Sequence, residues 1–168
     1  MRTFQTPQLF DELSVLDNVR VGAAGQRLGS LGLALLGAGR RQADARAVAS
    51  LEVVGLGAWA AAPAAVLPFG HRRRLEIARA LAADARVLVL DEPAAGLSPA
   101  EIEALDALLA RLRANGLTVM LVEHHVDLVM AISDRVTVLD EGRVIADGAP
   151  AAVQRDPAVV AAYLGTGP

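Results

Sequence analysis

Residues 86–101 of the chain have the sequence RVLVLDEPAAGLSPAE, and this stretch decides the fold. The apolar run at 87–90 is typical of a strand that is buried on both faces of a parallel sheet. Two carboxylates, Asp91 and Glu92, follow where the strand ends. Residues 98–101 match a capping box with a proline at the first helical position. The stretch therefore predicts a buried strand, an acidic loop and a helix.

The sequence downstream of this stretch predicts further helices and strands in alternation. The helix that starts at the capping box ends at Asn115-Gly116, because glycine is common just after a helix. The later predicted elements are a second buried strand over 117–122, a helix over 126–132, a hairpin of 136–139 with 143–146 around Glu141-Gly142, a short helix near Ala151 and a helix over 157–163. This order predicts an α/β fold with a mostly parallel sheet covered by helices, in which ligands bind beyond the carboxyl ends of the strands.

The chemistry is therefore expected where the two predicted strands end. After the first strand, Asp91 could hold Mg²⁺ through its water shell and Glu92 could polarise an attacking water. After the second strand, His124 would lie beside these carboxylates and could hydrogen-bond a phosphate. The competing interpretations are a solvated acidic loop and a structural histidine. Two polar strand ends side by side favour the functional interpretation.

A helix that begins near a glycine precedes the first strand. Residues 67–81 have the sequence LPFGHRRRLEIARAL, whose apolar spacing predicts a helix over 71–83 with its arginines outward. Glycine before a helix lets backbone N–H groups approach an anion, which the helix dipole favours. The competing interpretation is a simple turn into an amphipathic helix with arginines 72–74 in solvent. Farther upstream, helical spacing recurs over 43–54, and 21–50 is otherwise expected to be loop and weak helix.

Composition narrows the class of protein. Hydrophobic residues make up 54% of the 168 residues, but no apolar run reaches the roughly 18–20 residues that span a bilayer. A net charge of −3 argues against general affinity for nucleic acid. The absence of cysteine fits a reducing cytoplasm. All 16 basic residues are arginine, so a P-loop motif, which requires lysine, does not occur in this chain.

The chain resembles the ATP-binding subunits of ABC transporters in five motifs that occur in the family's order. They are the Q-loop glutamine Gln5, the signature stretch Leu67-Pro68-Phe69-Gly70-His71, the Walker B acids Asp91-Glu92, the D-loop at Gly96-Leu97-Ser98-Pro99 and the switch histidine His124. The resemblance implies that Glu92 and His124 are catalytic and act on ATP bound to the same subunit. It implies that Gln5 and Asp91 bind Mg²⁺, partly through water. The signature stretch and Ser98 would contact nucleotide, the signature stretch from the partner subunit.

Finer details are similar to the ATPases of branched-chain amino-acid transporters. The similar stretches are 73–81, 91–97, Glu123-His124 with 128–130, and 156–165. Three positions depart from the family pattern: His71 and Arg72 stand where glutamines are usual, and His125 stands where aspartate follows the switch histidine. The family's first strand, adenine-stacking aromatic and Walker A loop would all precede Met1. We expect the reading frame to extend upstream into such a loop or the chain to be a truncated product, and a degenerate subunit remains the alternative.

The resemblance also implies an organisation and a set of partners. The expected parts are the Q-loop end of the catalytic core over 1–10, a helical subdomain with the signature helix over 11–83, the core with Walker B, D-loop and switch histidine over 84–150, and tail helices over 151–168. A second ATPase subunit, transmembrane permeases and, indirectly, a substrate-binding protein are the expected partners, at the cytoplasmic face of the membrane. Residues Leu9, Phe10 and Leu13 are the expected contact with the permease. A non-transport ABC ATPase and a non-catalytic interaction domain are the rival functions.

Overall fold

The computed structural model describes residues 9–25 and 38–164, which group into two compact units, Met1–Val122 and Glu123–Pro168. Gln5, one of the predicted nucleotide contacts, lies outside the described residues. In the part of the chain that the structure describes, no helix is long and apolar enough to cross a membrane.

The first unit contains three packed helices. They are α1 (Val15–Gly25), α2 (Ala38–Val53) and α3 (Phe69–Ala82), with two short 3₁₀ turns at Gly57–Trp59 and Ala64–Val66 between the last two. Each of the three helices contacts the other two. Their shared core is aliphatic and fully buried around Val19, Leu51 and Leu75. Helices α1 and α3 come close together at Gly22 of α1, where an added methyl group would overlap the Arg79 carbonyl oxygen of α3.

The first unit also contains a strand–helix–strand segment. Strand β1 (Val87–Asp91) leads through α4 (Pro99–Ala114) to β2 (Thr118–Val122). The two strands pair in parallel and in register, with Asp91 opposite Val122. The predicted capping box is present at the start of α4, and the helix ends at Asn115 as expected. The mostly parallel arrangement predicted from 86–101 is thus confirmed for this pair.

The predictions that β1 is buried on both faces and that β2 is a buried strand are wrong. In β1, Leu88 and Leu90 are fully buried, whereas Val87 at its start is 45% exposed. In β2 the exposed positions alternate, and Met120 is 58% exposed. Helix α4 contacts β2, and the alternating exposure shows that side chains on one face of β2 are uncovered within the described residues.

The second unit is built on an antiparallel hairpin. After α5 (Val126–Ile132), strands β3 (Val136–Asp140) and β4 (Arg143–Gly148) pair, followed by α6 (Pro150–Val153) and α7 (Pro157–Leu164). The turn residues Glu141 and Gly142 both have positive φ, the backbone that a two-residue hairpin loop requires. A small core of valines joins the hairpin to the last two helices; it consists of Val136, Val138, Val153 and Val159. The hairpin and helices predicted from sequence are all confirmed.

The first 50 residues differ most from expectation. Helix α1 was not predicted, although Val15, Val19 and Ala23 follow a helical period and are buried. Helix α2 starts five residues before the predicted segment at 43–54. Glycine and alanine weaken an apolar pattern, so hydrophobic spacing underestimated these helices, although the alanines and arginines of α2 favour a helix.

Candidate functional site

The two acids predicted to carry the chemistry lie at the carboxyl end of β1. Asp91 is the last residue of the strand, and Glu92 continues the pairing because its N–H donates to the Val122 carbonyl at 2.8 Å. Glu92 has φ of 43°, in the left-handed region that side chains other than glycine rarely adopt. Such backbone angles persist only where surrounding contacts hold them, and they are concentrated at functional sites.

Arg73 is one of those contacts, and its position corrects the predicted solvent-facing arginines at 72–74. Its side chain is 1% exposed and pairs with Glu76 at 3.0 Å. A second guanidinium nitrogen donates to the Glu92 carbonyl oxygen at 3.4 Å. Sequence analysis missed this role, although helical spacing places Arg73 four residues before the buried Ile77, on the same face of α3.

Arg72 also has a structural partner rather than a solvated side chain. Its guanidinium forms an ion pair with Asp11 at 2.6 Å and donates to the Ala64 carbonyl oxygen at 3.1 Å. The residue that replaces the expected glutamine therefore joins α3 to the segment that precedes α1.

Gly70, the predicted phosphate contact, lies in the first turn of α3 beside the start of α4. A methyl group at Gly70 would overlap Glu101 Oε1, so only glycine fits against this carboxylate as it stands. The pKa of the Glu101 carboxyl is lowered by hydrogen bonds from the Ser98 N–H and hydroxyl, and further by the Gly70 N–H. One carboxylate thus accepts hydrogen bonds at the start of both helices.

Phe69 of the signature stretch lies beside the loop after Glu92. Leu67 is buried, whereas Phe69 is 41% exposed. The Phe69 ring lies beside Gly96, where an added methyl group would come within 3.3 Å of it, and Gly96 itself has φ of 76°. Pro68 forms the N-cap of α3, and Ser98 is exposed as the N-cap of α4. The structure therefore brings the predicted signature and D-loop residues together within the first unit.

His71 is held against an aromatic ring. Its imidazole makes an edge contact with Trp59, with the ring centroids 5.5 Å apart. Its Nδ1 is buried and has no hydrogen-bond partner among the described residues. Burial lowers the pKa of His71, and the neighbouring Arg74 lowers it further. The neutral imidazole is therefore the favoured form.

His124 is the second residue of the second unit and follows a buried acid. The Glu123 side chain is fully buried, and its Oε2 accepts hydrogen bonds from the N–H groups of His124 at 3.1 Å and His125 at 3.3 Å. The His125 ring lies on the same oxygen, with Nδ1 at 3.0 Å. The His124 ring is 61% exposed. No role was predicted for Glu123, and residue spacing does not indicate its burial beside two exposed histidines.

A buried amide organises the segment where the permease contact is predicted. Asn18 of α1 is fully buried; its Oδ1 accepts from the Phe10 N–H, and its Nδ2 donates to the carbonyls of Phe10 and Ser14. The Phe10 ring is 49% exposed, with the Arg79 guanidinium 5.4 Å from its centroid. Leu13 is 38% exposed. These apolar side chains are presented on a fixed backbone, and their contact with a permease stays a prediction.

The Asp91 carboxylate at the end of β1 could bind the Mg²⁺ ion of a magnesium nucleotide. The Asp91 carboxylate is a hard oxygen donor of the kind Mg²⁺ prefers, and Mg²⁺ usually keeps several of its waters. This strand end in an α/β fold is consistent with the class of nucleotide-binding proteins.

Comparison with known proteins specifies the class further. Residues 2–95 match the family model described as ABC transporter, and residues 143–168 match that described as branched-chain amino acid ATP-binding cassette transporter. The chain is 44% identical to the high-affinity branched-chain amino acid transport ATP-binding protein LivG of Salmonella typhimurium, over 98% of the chain and 67% of LivG. It therefore belongs to the ABC transporter family of ATP-binding subunits and is related to those of branched-chain amino acid importers.

Solved structures agree with this assignment. The ADP conformation of MJ1267, an ATP-binding cassette of an ABC transporter, superposes with a TM-score of 0.78 at 29% identity, over 98% of this chain and 68% of that one. The ATP-binding cassette MJ0796, solved as a dimer in a post-hydrolysis state bound to ADP and Pi, gives 0.70 at 26% identity, over 89% and 62%. The chain thus spans about two thirds of the length of its relatives.

Proposed function

We propose that this chain is the C-terminal part of the ATP-hydrolysing subunit of an importer for branched-chain amino acids, in which ATP hydrolysis drives transport. The observation that carries the proposal is the carboxyl end of β1, where Asp91 and the strained Glu92 follow a strand paired with β2. The substrate class is supported by the similarity to LivG over nearly the whole chain.

In this proposal four residues of the first unit have separate roles. When bound, ATP would supply the phosphoanhydride bond that is cleaved, and Mg²⁺ would supply positive charge that stabilises the developing negative charge on the phosphates. Asp91 would hold the ion through water, and Glu92 would take a proton from the attacking water. Arg73 fixes the Glu92 backbone through its carbonyl oxygen. Gln5 would also bind the Mg²⁺ ion.

The remaining site residues act across a dimer. MJ0796, a related cassette, was solved as a dimer with ADP and Pi, which supports the proposal that two subunits pair here. The head-to-tail arrangement of the pair is what the family resemblance implies. Gly70 would donate its N–H to the phosphate of the partner's nucleotide, with Leu67, Pro68, Phe69 and His71 around it and Ser98 in the adjoining D-loop. His124 would donate a ring N–H to the phosphate in its own subunit. Permeases and a substrate-binding protein complete the proposed assembly at the cytoplasmic face of the membrane.

The proposal is tested by Glu92→Gln in the complete gene product, assembled with its permeases in vesicles. The amide keeps the shape of the carboxylate but cannot take a proton, so ATP turnover and leucine uptake are expected to fall at least about a hundredfold. Nucleotide binding is expected to persist. The matched control is Glu103→Gln, which changes an exposed carboxylate of α4 and is expected to leave turnover unchanged.

Two outcomes would contradict the proposal. Near-normal turnover of Glu92→Gln would show that Glu92 is not the base. Turnover that no permease or amino acid stimulates would place the protein outside transport.

A further inference from the structure

Three consecutive side chains of the second unit converge on one point. The ligand atoms of Glu123, His124 and His125 all lie within 4.8 Å of one another. Glu123 Oε2 is 3.0 Å from His125 Nδ1 and 3.8 Å from His124 Nδ1. The two imidazole rings lie side by side, with centroids 4.4 Å apart and planes inclined by 36°. Consecutive residues in an extended strand alternate sides, so this convergence comes from the turn that follows β2.

The turn is fixed by the acid itself. The fully buried Glu123 carboxylate accepts the N–H groups of the next two residues, which holds both histidines over it. The imidazoles are the exposed part of the cluster, with side chains 61% and 42% exposed for His124 and His125. The acid is therefore pre-positioned, and an ion from solvent can reach the nitrogens.

The two carboxylate–imidazole distances are close to the ligand spacing of zinc. A tetrahedral Zn²⁺ with bonds of about 2.1 Å to nitrogen and oxygen holds its ligands about 3.4 Å apart. The two carboxylate–imidazole distances, 3.0 and 3.8 Å, fall on either side of this value. Imidazole nitrogen suits Zn²⁺, Cu²⁺ and Ni²⁺, whereas Mg²⁺ prefers oxygen ligands. Two nitrogens and one oxygen thus favour a transition-metal ion over the magnesium of the nucleotide.

We propose that Glu123, His124 and His125 form a binding site for one divalent transition-metal ion, with Zn²⁺ as the reference ion. The ion replaces the proton shared between His125 and the carboxylate, and a water takes the fourth position. His125, which stands where the family has aspartate, supplies the second nitrogen. If His124 contacts phosphate, a consequence that rests on the proposed function, the bound ion withdraws it from that role.

The composition of the chain makes the test direct. There is no cysteine, and the chain has three histidines, of which the third, His71, lies in the other unit. The 168-residue chain is titrated with ZnCl₂ by calorimetry near pH 7.5 without nucleotide, so the result does not depend on ATP chemistry. We expect one Zn²⁺ per chain, and we expect His125→Asn and Glu123→Gln each to weaken the affinity at least about tenfold. His71→Gln is the matched control and is expected to bind Zn²⁺ as the parent does.

A second measurement guards against loss of folding. In the NMR spectrum, Zn²⁺ is expected to shift the ring protons of His124 and His125 and to leave those of His71 unchanged. His125→Asn changes a partly exposed side chain, so circular dichroism is expected to show an unchanged fold. The proposal is overturned if the parent binds no Zn²⁺, if His125→Asn keeps the parent affinity, or if His71→Gln loses as much affinity as His125→Asn.

Discussion

The ends of β1 and β2 lie opposite each other in register, yet they are held in different ways. At the end of β1, Glu92 is bound by residues far away in sequence, namely Arg73 of α3 and Val122 of β2. At the end of β2, Glu123 binds the N–H groups of the next two residues. Long-range contacts with the core thus hold the first end, and local hydrogen bonds within its own turn hold the second. Removal of a contact that holds the first end should destabilise the whole unit, whereas removal of a contact at the second should have a local effect.

The largest expected effect is on Arg73, because it connects the first strand end to the core. Arg73→Ala leaves the buried Glu76 carboxylate without this partner, which costs about 3–5 kcal/mol of unfolding free energy. Trp59, the single tryptophan, lies in the same unit and reports unfolding in urea by its fluorescence. Arg111→Ala, at an exposed position of α4, is the control and should stay within about 0.5 kcal/mol. A loss for Arg73→Ala no larger than that would mean that the core does not hold this strand end.

The second strand end should respond less and more locally. Glu123→Ala removes the acceptor of two N–H groups, which is expected to cost about 1–3 kcal/mol. Amide hydrogen exchange should rise in α5 and change little in β1 or α3. Equal loss of protection in α3 would contradict the distinction between the two ends.

The strained backbone of Glu92 gives a smaller effect of opposite sign. Glu92→Gly relieves a φ of 43°, and the left-handed region costs a side chain about 1–2 kcal/mol. We therefore expect Glu92→Gly to raise the urea midpoint while it removes the proposed base. Glu141→Gly is a matched control for backbone strain, since Glu141 has φ of 46° in the exposed β3–β4 turn. If Glu141→Gly is stabilising and Glu92→Gly is destabilising, the Glu92 side chain has contacts that outweigh the strain.

The smallest effect is the pH response of His71. Because burial lowers the pKa of His71, the unfolded chain binds its proton more readily than the folded chain does. Stability should therefore be unaffected by this group well above its ordinary pKa of about 6.5, and should fall as the pH drops below that value. His71→Gln is expected to reduce this acid loss, measured by urea unfolding at about pH 7.5 and pH 5.5. A larger acid loss in His71→Gln than in the parent would mean that the fold favours the imidazolium.

Local chemistry made much of this fold predictable. The capping box at 98–101, the acids after β1 and the turn at Glu141-Gly142 are written in neighbouring residues, and all three occur as expected. Helix α1 was missed because small residues blur its pattern. The burial of β1 and β2 was overestimated because an apolar run shows that a strand can be covered, and does not show what covers it.

The residues of the site were predictable from the sequence, but the residues that hold them in place were less so. Arg73 and Asn18 are polar residues at apolar positions of helices, and their partners lie elsewhere in sequence. The periodicity of α3 could have placed Arg73 inward, but nothing in the sequence gives its contact with the Glu92 carbonyl. Such contacts depend on tertiary packing, which residue spacing does not encode.

The Glu101 carboxylate, shared by the starts of α3 and α4, has a thermodynamic consequence. An anion that binds the Gly70 N–H competes with this carboxylate for the same donor. Anion binding at Gly70 must therefore be coupled to the cap of α4. By reciprocity, the factor by which the cap weakens anion binding equals the factor by which the bound anion weakens the cap. Ser98 sets the strength of that cap through its N–H and hydroxyl. A hydroxyl several residues along the chain from the acids of β1 can thereby tune how tightly the start of α3 accepts an anion.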